Sequence, residues 1–146
     1  MIIVNKAKTI PEVFDKIREM ESKDNKVLLL QAYETKTLKF VIDLIYNHDL
    51  THIKIPDYVP NHRPPEICYL TLHTGMAKIK TAIQYSETKP EITERMLQVI
   101  LSEISEPESD LLVSIIKGKK VEGISKSVFK EAYPDLFRFQ DTSQEL

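Results

Sequence analysis

The sequence predicts an all-α fold, in which about eight short helices form a single compact domain over residues 1–139. Apolar residues recur three and four positions apart along most of the chain, which is the period of an amphipathic helix. The chain has only 3 glycines, too few for a glycine-rich barrel or a flexible chain. A length of 146 residues suits one domain with one core. Residues 140–146 are predicted to be a disordered tail.

Helix boundaries follow from local start signals. Thr9, Thr88 and Ser105 each stand three residues before a glutamate and two before a proline, which is typical of a helix N-terminus. Thr37 and Ser125 are further predicted N-caps. Together with the apolar spacing, these signals predict helices from near residue 10 and over residues 27–33, 38–47, 66–72, 76–85, 90–104, 111–116 and 126–133.

Residues 50–65 are predicted to be a proline-rich loop, since their four prolines exclude a regular helix. Ile53 and Ile55 alternate with polar residues, which allows a brief extended segment. A loop of this length is expected to pack on the helices, here through Tyr58 and Val59.

The helix over residues 90–104 carries an apolar stripe that we expect to face the core. Its members are Ile92, Met96, Val99, Ile100 and Ile104.

Composition favours a cytosolic protein. Cys68 is the single cysteine and has no internal disulfide partner, which favours a reducing compartment. The N-terminus does not resemble a signal peptide. No apolar run reaches the ~20 residues that a membrane helix needs.

Residues that could carry chemistry are few. The four histidines and Cys68 lack the two tight pairs typical of a zinc site, and Cys68 lies between apolar residues, as a buried thiol does. The glutamates at helix starts complement the helix dipole. We therefore predict no catalytic residue, no cofactor and no metal; an unrecognised small hydrolase or metalloprotein is the least favoured alternative. The histidines are His48, His52, His62 and His73.

The net charge of -2 conceals an uneven distribution. Residues 86–110 hold two basic and seven acidic side chains, whereas residues 111–130 hold five basic and one acidic. A local positive block can bind a polyanion. The alternative is a solvated, lysine-rich turn.

The positive block has features of a phosphate-binding corner. Its glycines allow tight turns, and Ser125 opens a helix whose free N–H groups favour an anion. Lys126 lies in the first turn of that helix, where a bound phosphate would offset an unfavourable cation. The residues predicted to contact a DNA backbone are Lys117, Lys119, Lys120, Gly123, Ser125, Lys126 and Lys130. An exposed helix–turn–helix corner without a ligand explains the same residues.

Residues 110–137 resemble the end of the N-terminal DNA-binding domain of ATP-dependent DNA ligases, notably those of T-even-like phages. The likeness lies in Gly123-Ile-Ser125, which matches a Gly-x-Ser loop, and in the proline stop at Tyr133-Pro-Asp-Leu. Residues 25–33, 38–42 and 72–77 agree in order, with Thr74-Gly75 as a structural turn, so the resemblance spans roughly residues 10–137.

The resemblance implies an all-helical domain that binds the sugar–phosphate backbone of duplex DNA across the minor groove. Gly123, Ser125 and Lys126 would take the place of the loop near phosphate. Ligases continue into a nucleotidyltransferase domain with a Lys-x-Asp-Gly motif, which is missing here, so we expect no enzyme activity. Val121 and Glu122 also depart from the family pattern, and Glu122 opposes a phosphate.

The sequence therefore predicts a non-catalytic, phage-encoded module that binds duplex DNA without sequence specificity. The alternative is a module that kept the ligase-type fold and binds a host or phage replication protein instead, with the acidic residues 86–110 as the candidate surface.

Overall fold

The computed structural model describes residues 8–137, and these residues have the all-α fold that the sequence predicts. They form seven α-helices and two short 3-10 helices, with no strand in that range. The chain divides into two compact units, residues 1–48 with 120–146 (unit 1) and residues 49–119 (unit 2). The single domain expected over residues 1–139 stays a prediction, and the predicted disordered tail lies outside the described residues.

Unit 1 contains four α-helices and a 3-10 helix. They are α1 (Ile10–Arg18), α2 (Lys23–Ala32), α3 (Lys36–Asn47), α7 (Lys126–Ala132) and the 3-10 helix Pro134–Phe137.

Aromatic rings form the centre of unit 1. The ring of Phe129 meets that of Phe14 edge to face, with centroids 5.9 Å apart. Tyr46 lies 5.5 Å from Phe129 and 5.4 Å from Phe137. The three phenylalanines are fully buried, and each such side chain stabilises the fold by about 1.5–3 kcal/mol. The Tyr133 hydroxyl donates to the carbonyl of Leu30, which ties α7 to α2.

Unit 2 contains three α-helices and a 3-10 helix: α4 (Leu72–Gln84), α5 (Pro90–Glu103), α6 (Glu106–Ile116) and Pro65–Ile67. The Thr93 hydroxyl joins α5 to α4 by donating to the carbonyl of Ala82 at 2.6 Å. Buried apolar side chains of the unit include Ile79, Leu97, Leu101, Leu112 and Ile115.

Two predicted boundaries in unit 1 are wrong because nearby hydroxyls cap the helices earlier. Ser22 Oγ accepts from the N–H of Asn25 at 3.1 Å, so α2 begins at Lys23 rather than Val27. Thr35, not Thr37, is the N-cap of α3, since its Oγ accepts from Leu38 N at 3.0 Å.

The helix predicted over residues 66–72 is absent, and only the 3-10 turn at its start forms. Thr71 has an extended backbone and caps α4 in a reciprocal capping box with Thr74, so a helix cannot pass through it. The predicted Thr74-Gly75 turn is also wrong, because both residues lie in the first turn of α4. Gly75 is needed for packing: a Cβ there would be 3.1 Å from Leu70.

The start of α5 is confirmed at Pro90, but its N-cap is Lys89 rather than Thr88. The apolar stripe predicted to face the core is only partly buried. Ile100 and Ile104 are buried, whereas Ile92 and Met96 are half-buried and Val99 is 51% exposed.

The proline-rich loop contains neither a helix nor a strand between residues 53 and 64. Of the two residues predicted to pack on the helices, Tyr58 is half-buried, whereas the prediction is wrong for Val59, which is 78% exposed. The anchors are the buried Ile53 and the side chain of Asn61, whose amide donates to the carbonyl of Glu103 at 2.9 Å.

Candidate nucleic-acid interface

The boundary between the units falls between Lys119 and Lys120, inside the segment predicted to bind DNA. Residues 117–119 of this segment belong to unit 2 and residues 120–130 to unit 1.

In unit 2, α6 ends in a Schellman motif that fixes the backbone of the lysines. Gly118 N donates to the carbonyl of Ile115 and Lys119 N to that of Ser114, each at 3.0 Å. Gly118 has a φ of 80°, which L residues rarely adopt, and a Cβ there would lie 3.1 Å from Thr51 Cγ2. The sequence thus places a glycine where the helix end requires one.

The side chains of Lys117 and Lys119 are open to solvent. Neither has an ion pair or a side-chain hydrogen bond with any residue in the range 8–137. Lys117 is also the C-cap of α6, where a cation complements the helix dipole. The turn at Gly118 therefore carries two exposed cations that have no side-chain partner in the described chain.

In unit 1, Lys120 has an internal role that the sequence did not reveal. Its Nζ donates to the carbonyl of Ile45 at 2.7 Å and lies 4.9 Å from the centre of the Tyr46 ring. Burial raises the pKa of Tyr46. Lys120 is thereby tied to the last turn of α3, and its ammonium group is less available to a ligand than those of Lys117 and Lys119.

Two cations from α1 and α2 hold the loop that follows Lys120. Arg18 Nε donates to the carbonyl of Glu122 at 2.7 Å, and Lys26 Nζ donates to that of Gly123 at 3.1 Å. Gly123 has a φ of 78°, and a Cβ there would lie 3.2 Å from the Arg18 side chain. Both contacts join residues far apart in the chain, so no local pattern could have predicted them.

Ser125 is the N-cap of α7 by backbone geometry, as predicted, but its side chain does not cap the helix. Its hydroxyl instead contacts that of Ser127 at 2.9 Å. With 7 residues, α7 has fewer than two turns, so its dipole contributes little to holding an anion.

The remaining charges of the loop and of α7 are mixed. Lys126 is exposed, and its Nζ lies 5.9 Å from the centre of the Phe137 ring. Lys130 is half-buried. Glu122 is exposed and has no partner among the described side chains, so a carboxylate stays within the predicted binding segment.

The histidines and the cysteine of residues 8–137 do not come together as a group of three or more potential metal ligands. His48 contacts Asp43 at 3.0 Å and His62 contacts Glu106 at 2.7 Å. Burial, and to a smaller extent the charge of Glu108, raises the pKa of the Cys68 thiol.

Helices within residues 8–137 are all too short or too polar to cross a membrane. No protein-family model, curated protein or solved structure matches this chain. The resemblance to the DNA-binding domain of ligases therefore stays a prediction, supported by the residues named above.

Proposed function

We propose that this protein is a non-catalytic module that binds the sugar–phosphate backbone of duplex DNA through the segment of residues 117–130. The observation that carries the proposal is the pair of exposed lysines, Lys117 and Lys119, on either side of a rigid glycine turn without an acidic partner in the described chain. Lys126 adds a third exposed cation. The resemblance to ligases leads us to place the protein in phage DNA metabolism in the host cytoplasm.

The residues of the segment have different parts in this proposal. Lys117, Lys119 and Lys126 contact phosphates directly. Lys120 and Gly123 keep the loop in place through Ile45 and Lys26, and their effect on DNA is indirect. Ser125 is the N-cap of α7 and Lys130 lies in its last turn, and both extend the polar surface of unit 1.

The test measures binding of a fluorescent DNA duplex by anisotropy over a series of salt concentrations. Three phosphate contacts give a slope of roughly -3 in a plot of log K against log salt, since each contributes about 0.9. The Lys119→Glu, Lys126→Glu double variant should lose binding.

A matched double variant, Lys36→Glu with Lys89→Glu, controls for net charge. It changes the charge by the same amount, with one substitution in each unit, at exposed lysines outside the segment. It should bind DNA within about threefold of wild type. Equal losses in the two double variants, or an unchanged affinity in the first, would refute the assigned segment.

Glu122→Gln offers a gain-of-function test. Removing this exposed carboxylate should tighten DNA binding, because its negative charge repels the phosphates of DNA. Unchanged or weaker binding would show that DNA does not approach the loop.

Binding to a replication protein is the second candidate function. It is favoured by exposed apolar side chains in unit 2, where Val59 is 78% exposed, Ile67 63% and Tyr69 87%. All three lie within residues 59–69. Isolated exposed apolar residues are common, whereas a contiguous exposed apolar patch is typical of an interaction surface. Absence of DNA binding at low salt, together with specific retention of a replication protein that a Tyr69→Ser variant loses, would favour this function.

A further inference from the structure

Helices α4 and α5 of unit 2 enclose a groove of about 350 Å³ that has no role in the proposed DNA contact. Its apolar lining consists of Ile92, Met96, Val99 and Ile100, and its two charged lining residues are Lys78 and Arg95. A volume of this size holds a few large side chains of a partner. The groove lies wholly within unit 2.

Much of the groove is formed by one helix face. Ile92, Met96 and Val99 follow one another at helical spacing on α5, and none of them is buried. The core-facing side of α5 instead consists of Thr93, Leu97, Ile100 and Leu101. The helix therefore has two apolar faces, and the second is half-buried at Ile92 and Met96 and exposed at Val99. An amphipathic helix with a second apolar face is typical of a protein that receives another element there.

The cations of the groove determine what kind of element fits. Lys78 on α4 and Arg95 on α5 are both exposed. Neither makes an ion pair or a side-chain hydrogen bond with a residue in the described range. Lys54, another exposed cation of unit 2, pairs with Glu94 at 3.5 Å. Two unpaired cations beside an apolar lining complement an apolar stripe that is flanked by carboxylates.

We propose that the α4–α5 groove binds an amphipathic helix of another protein, whose apolar side chains enter the groove and whose aspartates or glutamates face Lys78 and Arg95. Recognition of a helix in an apolar groove uses anchors at positions i, i+3, i+4 and i+7, and complementary charges at its edges set partner choice and orientation. Glu103 continues the same face of α5 one turn beyond Val99, so the partner's acidic residues belong beside Arg95 rather than at that end. This inference is independent of DNA binding by residues 117–130.

The experiment uses the full chain and a designed helical peptide of about five turns, labelled with a fluorophore. Leucines occupy one stripe of the peptide and glutamates flank it. A matched peptide keeps the leucines and has lysine at every glutamate position. Fluorescence anisotropy should give a dissociation constant below about 1 mM for the acidic peptide and binding at least tenfold weaker for the basic one.

Variants of the protein locate the binding surface. Val99→Glu places a carboxylate in the groove, and Arg95→Glu reverses one of the groove's charges. Each substitution should weaken binding of the acidic peptide about tenfold or more. Arg95→Glu should also improve binding of the basic peptide. Leu28→Glu is the matched control: it introduces the same carboxylate at an aliphatic residue that is 51% exposed, as Val99 is, and does not line the groove, so it should leave the affinity unchanged.

Each contrary outcome overturns the proposal. Equal binding of the two peptides would show that charge does not select the partner, and equal losses in Val99→Glu and Leu28→Glu would place the peptide elsewhere. Dimerisation of the wild-type chain that Val99→Glu abolishes would assign the groove to a second copy. Competition between duplex DNA and the acidic peptide, with DNA affinity reduced by Arg95→Glu, would assign it to nucleic acid.

Discussion

Glu108 is the clearest place to test how unit 2 is held together. Its side chain is fully buried in the first turn of α6. Oε2 accepts from the N–H of Leu72 at 2.7 Å, and Oε1 accepts from the Ser105 hydroxyl at 2.8 Å. One carboxyl group thus satisfies a donor at the N-terminus of α4 and another at the N-terminus of α6, where both helix dipoles favour negative charge.

Replacing Glu108 with alanine should lower the free energy of unfolding by about 3–5 kcal/mol. The substitution leaves two buried donors without an acceptor, at about 1–3 kcal/mol each. Glutamine should cost only about 1–2 kcal/mol, because its oxygen can still accept from Leu72 N and its NH₂ can donate to Ser105 Oγ, although the charge is lost. With roughly 3 °C per kcal/mol for a chain of this length, the alanine variant should melt about 10–15 °C lower.

Urea unfolding followed by far-UV circular dichroism measures these differences. The matched control is Glu106→Ala, which removes a glutamate from the same first turn. Glu106 is 41% exposed and pairs with His62 on the surface, so its loss should cost less than about 1 kcal/mol. A cost below about 1 kcal/mol for Glu108→Ala would refute the account, as would equal effects of alanine and glutamine.

Three other perturbations test separate contacts. Gly118→Ala should lower the free energy of unfolding by about 1–2 kcal/mol because of the positive φ, and Gly118→Asn by less, since asparagine tolerates that region; equal urea midpoints for wild type and alanine would contradict this. Lys120→Met should lower the free energy of unfolding by about 1–2 kcal/mol, because it removes the hydrogen bond to the Ile45 carbonyl, whereas Lys117→Met should stay within about 0.5 kcal/mol of wild type. The reverse order in urea unfolding would count against the internal role of Lys120. The raised pKa of Cys68 means that less thiolate is present at a given pH. Iodoacetamide should therefore alkylate Cys68 more slowly than it alkylates the thiol of glutathione at about pH 8, and the rate should increase as the pH rises. Equal alkylation rates for Cys68 and glutathione would contradict the shift.

Local patterns predicted those parts of the fold that depend on neighbours in the chain. Thr9 accepts from Glu12 N in the first turn of α1, and Gly118 takes the positive φ expected after α6. The start of α3 is predicted wrongly because two candidate N-caps compete. Thr35 and Thr37 are equally good candidates by type, and only the extended backbone at Thr35 decides between them.

Features that depend on distant contacts could not be found in the same way. Glu108 has the spacing of a helix-dipole glutamate, and its burial follows from Leu72, which is 36 positions away. The stripe on α5 was located correctly, but periodicity does not reveal which of two apolar faces meets the core. The spacing predicts that Ile92, Met96 and Val99 face the interior, although they line an open groove.

The same distinction determines which lysines can test DNA binding. A block of five cations in residues 111–130 suggests one uniform surface, but the structure gives its members different partners. Loss of DNA binding on substitution of Lys120 would be ambiguous, because that side chain also holds the loop against α3. Lys117, Lys119 and Lys126 are exposed, and no ion pair within residues 8–137 involves them, so charge reversal there should change the affinity for DNA with little effect on stability. A parallel loss of affinity and stability in those three variants would mean that the segment is a structural corner. Unchanged affinity and stability would mean that the excess of lysine reflects solvation alone.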